Sequence, residues 1–496
     1  MKKKILLSIA ILALMASCTD LDDVLYDRIP ADLYPENEIQ GAIETIPVYT
    51  PLRDFIDWGG WWFCQELTSD EMVGPTRHTD WDDGGKWRVL HQHTWTNTTE
   101  AINSMWSRYY NGIGEANRLI EKFEPGADQP GPAATVAKLK IMRAFYYYLL
   151  IDNYGDVPYV IEFANAVENP EITDKADIFQ GIVADIENSI PFLTESASKT
   201  AVTRGMAFSL LAKLYLNAEI YTGTPEWVAA EAACDSVISL GLYGLESDPL
   251  GPFVTANESS LENIFTIPYD EDTYTGFNLH MRTLHYISNQ TFDMTAGPWN
   301  GFAVMEDHYD SFEDDDLRKQ NGFLIGQQYS STGAALFDLT AGSNLIFKKH
   351  IPALLIDATH TFEEIRMSGA RVVKFEVAKG AKADLSNDFP LFRYADILLM
   401  KAEAIIRQAA GPNPEADALV NQIRDRAEVG DLTNVDLPTM LAVRGREMFY
   451  EGHRRQDLIR FGEFNKAWWE KDTSTADRNT FPIPQWAIDA NPNLAK

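Results

Sequence analysis

Stretches of helical spacing alternate along the chain with two long stretches that lack it. Between residues 133 and 154, Val136, Leu139, Met142, Tyr146 and Leu149 recur at three and four residues, which predicts a long helix. Gly155 stops it, and Pro158 prevents its resumption. Residues 206–221 put Ala207, Leu211, Leu214 and Ala218 on one face behind Thr203 as N-cap, and 227–240, ended by Gly241, reads as the packing partner. Near the C-terminus Ala395, Leu398, Ala402 and Ile405 hold the same register over 394–409, and a helix over 415–429 follows the breaker Gly-Pro-Asn-Pro. Alanines lie where paired helices would cross closely. Such pairs bury their faces by stacking, which predicts an all-α, tetratricopeptide-like helical-pair scaffold. The Gly/Pro-rich stretch 124–134 reads as a loop between two helices.

Residues 246–300 and 321–390 are rich in Gly, Ser, Thr and Asp and carry no sustained helical period; the stretches from Arg371 and around 344–350 have strand-like content. Long irregular segments in a compact protein are commonly functional surfaces. The expected organisation is a helical scaffold at about 35–245 and 391–470. An inserted irregular lobe with short β segments follows at about 246–390, and the loop 66–96 joins it.

The N-terminus changes this picture. Lys2, Lys3 and Lys4 precede a short apolar run that ends in Ala16, Ser17 and Cys18. The run is too short to span a bilayer and reads as a signal peptide over 1–17 with a lipobox, although Met15 stands where Leu is usual. The implied chemistry is lipidation of Cys18, whose several acyl chains would anchor the mature domain, 18–496, firmly. Thr19, Asp20, Leu21, Asp22 and Asp23 follow as an acidic tether. The formal net charge is −31, with no offsetting basic cluster, which argues against nucleic-acid binding. Cys64 and Cys234 read as buried small apolar residues.

Several stretches, in order, resemble the SusD/RagB family: the segment after Cys18, the helix ending in Tyr-Gly-Asp-Val-Pro at 154–158, residues 204–216, 389–405, 423–430, 443–464 and the terminal segment from Phe481. The resemblance implies a tetratricopeptide-like fold with an inserted ligand lobe. It also implies a non-catalytic, surface-exposed, lipid-anchored protein of the outer membrane that captures oligosaccharide as the lid of a SusC-type TonB-dependent transporter. Alternatives are a peptide-binding lid of the same family, a helical-scaffold glycoside hydrolase or lyase, and a purely structural seal on the barrel.

Candidate chemistry is sparse. Glu447 and Glu451 lie four apart, so a helix would place them on one face at about 5–6 Å, near the separation of a retaining glycosidase pair. Arg444, Arg454 and Arg455 beside them favour ionised carboxylates, so Arg444, Glu447, Glu451 and Arg454 read as a structural ion network. His91 and His93 lack the companions of a zinc site. The acidic runs from Asp270 and Glu313 lack the ligand spacing of an EF-hand; no metal or other cofactor is predicted, with calcium left open.

Tryptophan is the informative residue. Seven of the 12 lie between 58 and 106: Trp58, Trp61, Trp62, Trp81, Trp87, Trp95 and Trp106. Trp58, Trp61, Trp62 and Trp106 have apolar neighbours and read as packed. Trp81 stands among Asp70, Arg77, Asp80, Asp82, Asp83 and two glycines, where an exposed indole suits the C–H face of a sugar and Asp and Arg suit its hydroxyls. Trp299, beside Gly297 and Pro298, is the second candidate for stacking, with Arg371 and Tyr274 as further glycan contacts from the irregular regions.

Overall fold

The computed structural model describes residues 38–124 and 133–495. The expected signal peptide, Cys18 and the expected acidic tether lie outside the described residues, as does most of the loop at 124–134. The chain divides into two compact units, Met1–Glu44, described only over the opening turns of one helix from 38, and Thr45–Lys496, which carries everything that follows.

In chain order the helices that matter here are α1 (Trp61–Glu66), α2 (Lys86–His91), α3 (Glu100–Phe123), α4 (Ala133–Tyr154), α5 (Lys175–Ser189), α6 (Arg204–Leu216), α7 (Trp227–Ser239), α8 (Leu279–Thr283), α9 (Tyr394–Ala409), α10 (Pro414–Arg426), α11 (Leu437–Met448) and α12 (Arg454–Arg460). Neighbours stack as α3 on α4, α4 on α5, α6 on α7, α7 on α9 and α9 on α10. This is the helical-pair scaffold that the periodicity predicts. Helix α4 is buried nearly all round, because α3 and α5 pack on it from different sides. Thr203 caps α6 by accepting from the Met206 amide. The helix expected over 206–221 is broken at Asn217, whose side-chain amide donates to the Lys213 carbonyl at 2.8 Å and competes with the helical ladder; a short helix, Ala218–Thr222, follows.

The lobe is built from short strands: β1 (Met72–Val73), β2 (Thr76–Arg77), β3 (Asn263–Ile267), β4 (Ala303–Val304), β5 (Leu355–Ile356) and β6 (Phe389–Arg393). Strand β1 pairs antiparallel with β4, β2 parallel with β5, and β3 antiparallel with β6. Two sequence expectations change here. The region 246–300 contains the buried strand β3, and residues 389–393, grouped with a helix, form β6 before α9 begins. Alternation is invisible in both strands because both of their faces are buried. The strand expected from Arg371 is confined to Arg371–Val372, and that around 344–350 is split into Ser343–Asn344 and Ile346–Phe347.

The C-terminal glutamates also depart from expectation. Helix α11 stops at Met448 and Tyr450 has φ +70°, so Glu447 and Glu451 do not share a helix face. Both are nevertheless drawn to Arg393, at 2.7 and 2.6 Å, and Arg393 also meets Glu262 at 2.8 Å. Arg318 adds a pair to Glu447 at 2.8 Å, and Lys374 one to Glu451 at 2.6 Å. Arg444 belongs to a second buried cluster with Asp396 and Asp457, at 2.9 and 2.7 Å, and Arg454 to a third with Asp70. The expected single network of Arg444, Glu447, Glu451 and Arg454 is therefore three clusters, because the chain turns sharply between α11 and α12.

Candidate functional site

The loop 66–96 and the segment 299–302 meet over a dense aromatic base. Trp62, Trp87, Phe63 and Phe302 are fully buried and stack edge to face: Trp87 with Phe302 at 5.2 Å and Trp62 with Phe63 at 5.1 Å between centroids. Three indoles crown this base. Trp58 and Trp299 are each 37% exposed, and Trp81 is half-buried. The Trp58 and Trp81 rings lie 6.1 Å apart with a 37° tilt, and the Trp81 indole N–H donates to the Trp299 carbonyl at 2.8 Å. The two tryptophans singled out from sequence, 218 residues apart, are thus in direct contact.

Trp58 joins them although its sequence neighbours suggest a packed residue. The usable signal is the Gly59–Gly60 pair behind it, the same glycine neighbourhood that marks Trp81. Two cations stand over the Trp58 ring, Lys86 Nζ at 4.0 Å and the Arg282 guanidinium at 5.2 Å. Arg282, projected from α8, also lies 5.3 Å from the Trp299 ring and so bridges the two exposed indoles from below. It is buried, and desolvation, partly offset by Asp57, lowers it to about 10. Sequence reading misses Arg282 because nothing in its local pattern distinguishes it from a scaffold residue.

The other candidates fare differently. Arg77 is 2% exposed and spends its guanidinium on three backbone carbonyls: Gly301 at 2.9 Å, Ile365 at 3.0 Å and Ser368 at 3.0 Å. Arg371 is fully buried and donates to the carbonyls of Ser368 and Gly369 and to the Asn300 side chain at 2.7, 3.0 and 2.8 Å. Neither reaches a surface ligand, which corrects their assignment as glycan contacts. Both hold the segment under Trp299 instead. Asp70 is likewise claimed, by a two-pronged pair with Arg454 at 2.7 and 2.9 Å. Burial opposes its ionisation, but Arg454 outweighs that and holds it below the usual carboxylate range. Tyr274 is 57% exposed beside Arg53, and no ring contact joins it to Trp58, Trp81 or Trp299.

At the platform's edge the Tyr286 hydroxyl bonds Asp80, and Arg366 stands 4.6 Å over the Tyr286 ring. Asp82 pairs with Arg88 at 2.8 Å, and Asp83 accepts from the Trp87 indole at 2.7 Å. The polar residues around Trp81 thus serve first to shape the loop.

Two other constellations are also spent internally. His91 contacts the Trp469 carbonyl at 2.7 Å and His93 the Thr68 carbonyl at 2.9 Å, and desolvation lowers them to about 4 and about 2. Glu313 pairs with Arg424, Asp314 with Lys319 and Asp316 with Arg318, while Asp270 accepts from its own turn and Lys382 pairs with Glu271 and Asp272. Among the described residues no group of three or more His, Cys, Asp or Glu is arranged to hold a metal ion. Cys64 and Cys234 are free and buried, as expected, and desolvation pushes the Cys64 thiol up to about 12.

Two family models match the chain: one described as "SusD family" over residues 356–496, the other as "Starch-binding associating with outer membrane" over residues 65–216. The starch-binding protein SusD of Bacteroides thetaiotaomicron is 24% identical over 485 residues, covering 87% of this chain and 84% of that protein. SusD-like protein P2 of Formosa agariphila is 23% identical, covering 87% and 82%. Among solved structures, a laminarin-binding SusD-like protein superposes with a TM-score of 0.73 at 21% identity, covering 92% of this chain and 98% of its own. Surface glycan-binding protein A from Bacteroides thetaiotaomicron, in complex with laminarihexaose, superposes with a TM-score of 0.74 at 20% identity, covering 92% and 99%. With its helical-pair scaffold, its inserted lobe and family matches over residues 65–216 and 356–496, the chain belongs to the SusD/RagB family.

Proposed function

We propose that this protein is a non-catalytic carbohydrate-binding lipoprotein of the outer membrane, anchored through Cys18 and exposed on the cell surface. It would capture oligosaccharide as the lid of a SusC-type TonB-dependent transporter. The observation that carries the reading is the grouping of Trp58, Trp81 and Trp299 as partly exposed indoles on a rigid base. Exposed indoles backed by packed aromatics suit the C–H faces of sugar rings and lose little side-chain entropy on binding. Relatives named for binding starch, laminarin and surface glycans support carbohydrate as the ligand class, and the family model described as associating with the outer membrane supports the location.

Catalysis by the glutamate pair has no support in the geometry. Burial would raise Glu447 and Glu451, but Arg426 and Arg393 around Glu447, and Arg393 and Lys374 around Glu451, outweigh it and hold both well ionised, unfit as general acids. Both are also shut away from any substrate.

A few stacked rings and solvated hydrogen bonds correspond to dissociation constants of roughly micromolar to millimolar. Isothermal titration with laminarihexaose, maltohexaose and further oligosaccharides tests the reading. The expected result is saturable binding of at least one glycan, lost in Trp81→Ala and Trp299→Ala, with no new reducing ends released. Binding of oligopeptides with indifference to every sugar would overturn it. Co-purification of a TonB-dependent barrel with the lipidated protein tests the partnership.

A further inference from the structure

Trp81 is held in a conformation that its own residue type resists. Its φ is +59°, a left-handed backbone that bulky L residues rarely adopt. His78 just before it is also left-handed, at +63°. Something outside the loop must impose this shape, and two features do so.

The first is Arg77. Its backbone exchanges both hydrogen bonds with Asp80, at 2.8 and 3.1 Å, closing the tight turn that delivers Trp81. Its side chain crosses to the Gly301 carbonyl, two residues beyond Trp299, and to the 365–368 segment. One residue therefore ties together the two loops that supply Trp81 and Trp299. The second is Gly301 itself. A Cβ there would sit 2.3 Å from Trp81 Cε2, so the indole lies directly against bare backbone. The amide of Gly301 is bonded to the Arg282 carbonyl at 2.8 Å, which fixes that floor.

We infer that Arg77 and Gly301 are positioning residues of the indole platform: they seat Trp81 against Trp299 before any ligand arrives. The inference rests on the carbohydrate reading for its consequence, which is that binding needs no reordering of Trp81. A pre-seated ring keeps the affinity that ordering a loose one would consume.

Gly301→Ala is the clean test, because it removes no hydrogen bond and demands no unusual backbone. The full-length protein in detergent is compared as wild type, Trp81→Ala, Gly301→Ala and Arg77→Lys, by near-ultraviolet circular dichroism, thermal melting and titration with laminarihexaose and maltohexaose. Expected is a Gly301→Ala difference spectrum that reproduces that of Trp81→Ala, with affinity for whichever glycan binds falling about tenfold, the scale of one stacked ring. Arg77→Lys, which keeps the charge but not the three-pronged fork, should fall between. The inference is overturned if Trp81→Ala loses binding while Gly301→Ala and Arg77→Lys keep wild-type spectrum and affinity, or if Arg77→Lys only lowers the melting temperature. If neither glycan binds wild-type protein, the carbohydrate reading loses its support for these sugars, and the difference spectra still decide the positioning role on their own.

Discussion

Arg393, at the end of β6 where the helical scaffold resumes, and Arg444 on α11 are buried against carboxylates, whereas Arg77 and Arg371 are buried against backbone carbonyls. Electrostatics follow the partners. Desolvation disfavours all four cations. Around Arg393 the glutamates 451, 447 and 262 outweigh it and raise the group well above its usual value, and Asp457 and Asp396 raise Arg444 likewise. With no carboxylate in contact, desolvation wins in the lobe: Arg77 falls to about 10, and Arg371 falls well below its ordinary value. The difference teaches what each architecture lacks. Carbonyls inside a long helix are already bonded, whereas irregular segments and the last turns of short helices leave carbonyls without ladder partners, and a guanidinium can satisfy three at once. Arg393 and Arg444 act as charge locks, and Arg77 and Arg371 as substitutes for secondary structure.

Arg393→Met removes one cation shared by Glu262, Glu447 and Glu451, leaving Arg318, Arg426 and Lys374 to offset three buried carboxylates, and should cost about 3–5 kcal/mol in chemical denaturation. A loss below about 1 kcal/mol would mean the lock contributes little. Arg371→Met leaves neutral carbonyls, some of which water can reach after relaxation, and should cost less, about 2–3 kcal/mol. Equal losses would erase the distinction between the two regions.

A pH series adds a further contrast, because the start of the 66–96 loop holds two buried glutamates with a single cation, Arg454, at 3.6 Å from Glu71. Glu66 and Glu71 are buried with three carboxylate oxygens unbonded, and only the Gly452 amide reaches Glu66, at 2.6 Å. Desolvation raises Glu66 to about 8; desolvation and then Glu66 itself raise Glu71, against Arg454 and Lys374 nearby. The folded state therefore holds protons that the unfolded chain has already released. Stability should fall as pH rises from the ordinary carboxylate range through about 8, and Glu71→Gln should flatten that fall. For Glu447 and Glu451 the sign reverses: their pKa values are depressed, so their contribution is present at neutral pH and lost on acidification below the ordinary carboxylate range. A Glu71→Gln variant with an unchanged alkaline slope would show that the pair carries no excess proton.

Smaller effects test the surface. Trp58→Ala should weaken glycan binding several-fold, the scale of part of one stacked ring, with the melting temperature nearly unchanged. An unchanged affinity would remove Trp58 from the platform. Tyr286→Phe, which deletes one bond to Asp80 at the edge, should change affinity by less than about threefold.

Local pattern along the chain was enough to place the helical scaffold and to pick out two platform residues. Periodicity over 133–154 and 394–409 matched α4 and α9 residue for residue, because helix burial repeats locally and leaves a local pattern. Trp81 and Trp299 stood out because an indole beside glycine in a polar stretch conflicts with its surroundings, and such conflicts are readable one residue at a time. That these two touch, that Trp58 joins them, and that Arg77 and Arg371 work beneath the surface depend on the packing of segments far apart in the chain. Side chains as polar as these are ordinarily on the outside, and what draws them in is carbonyls supplied by segments as far as 291 residues away. The same holds for Glu447 and Glu451: their four-residue spacing implied a shared helix face, but what binds them is Arg393, which lies on another element and is brought near only by the packed core.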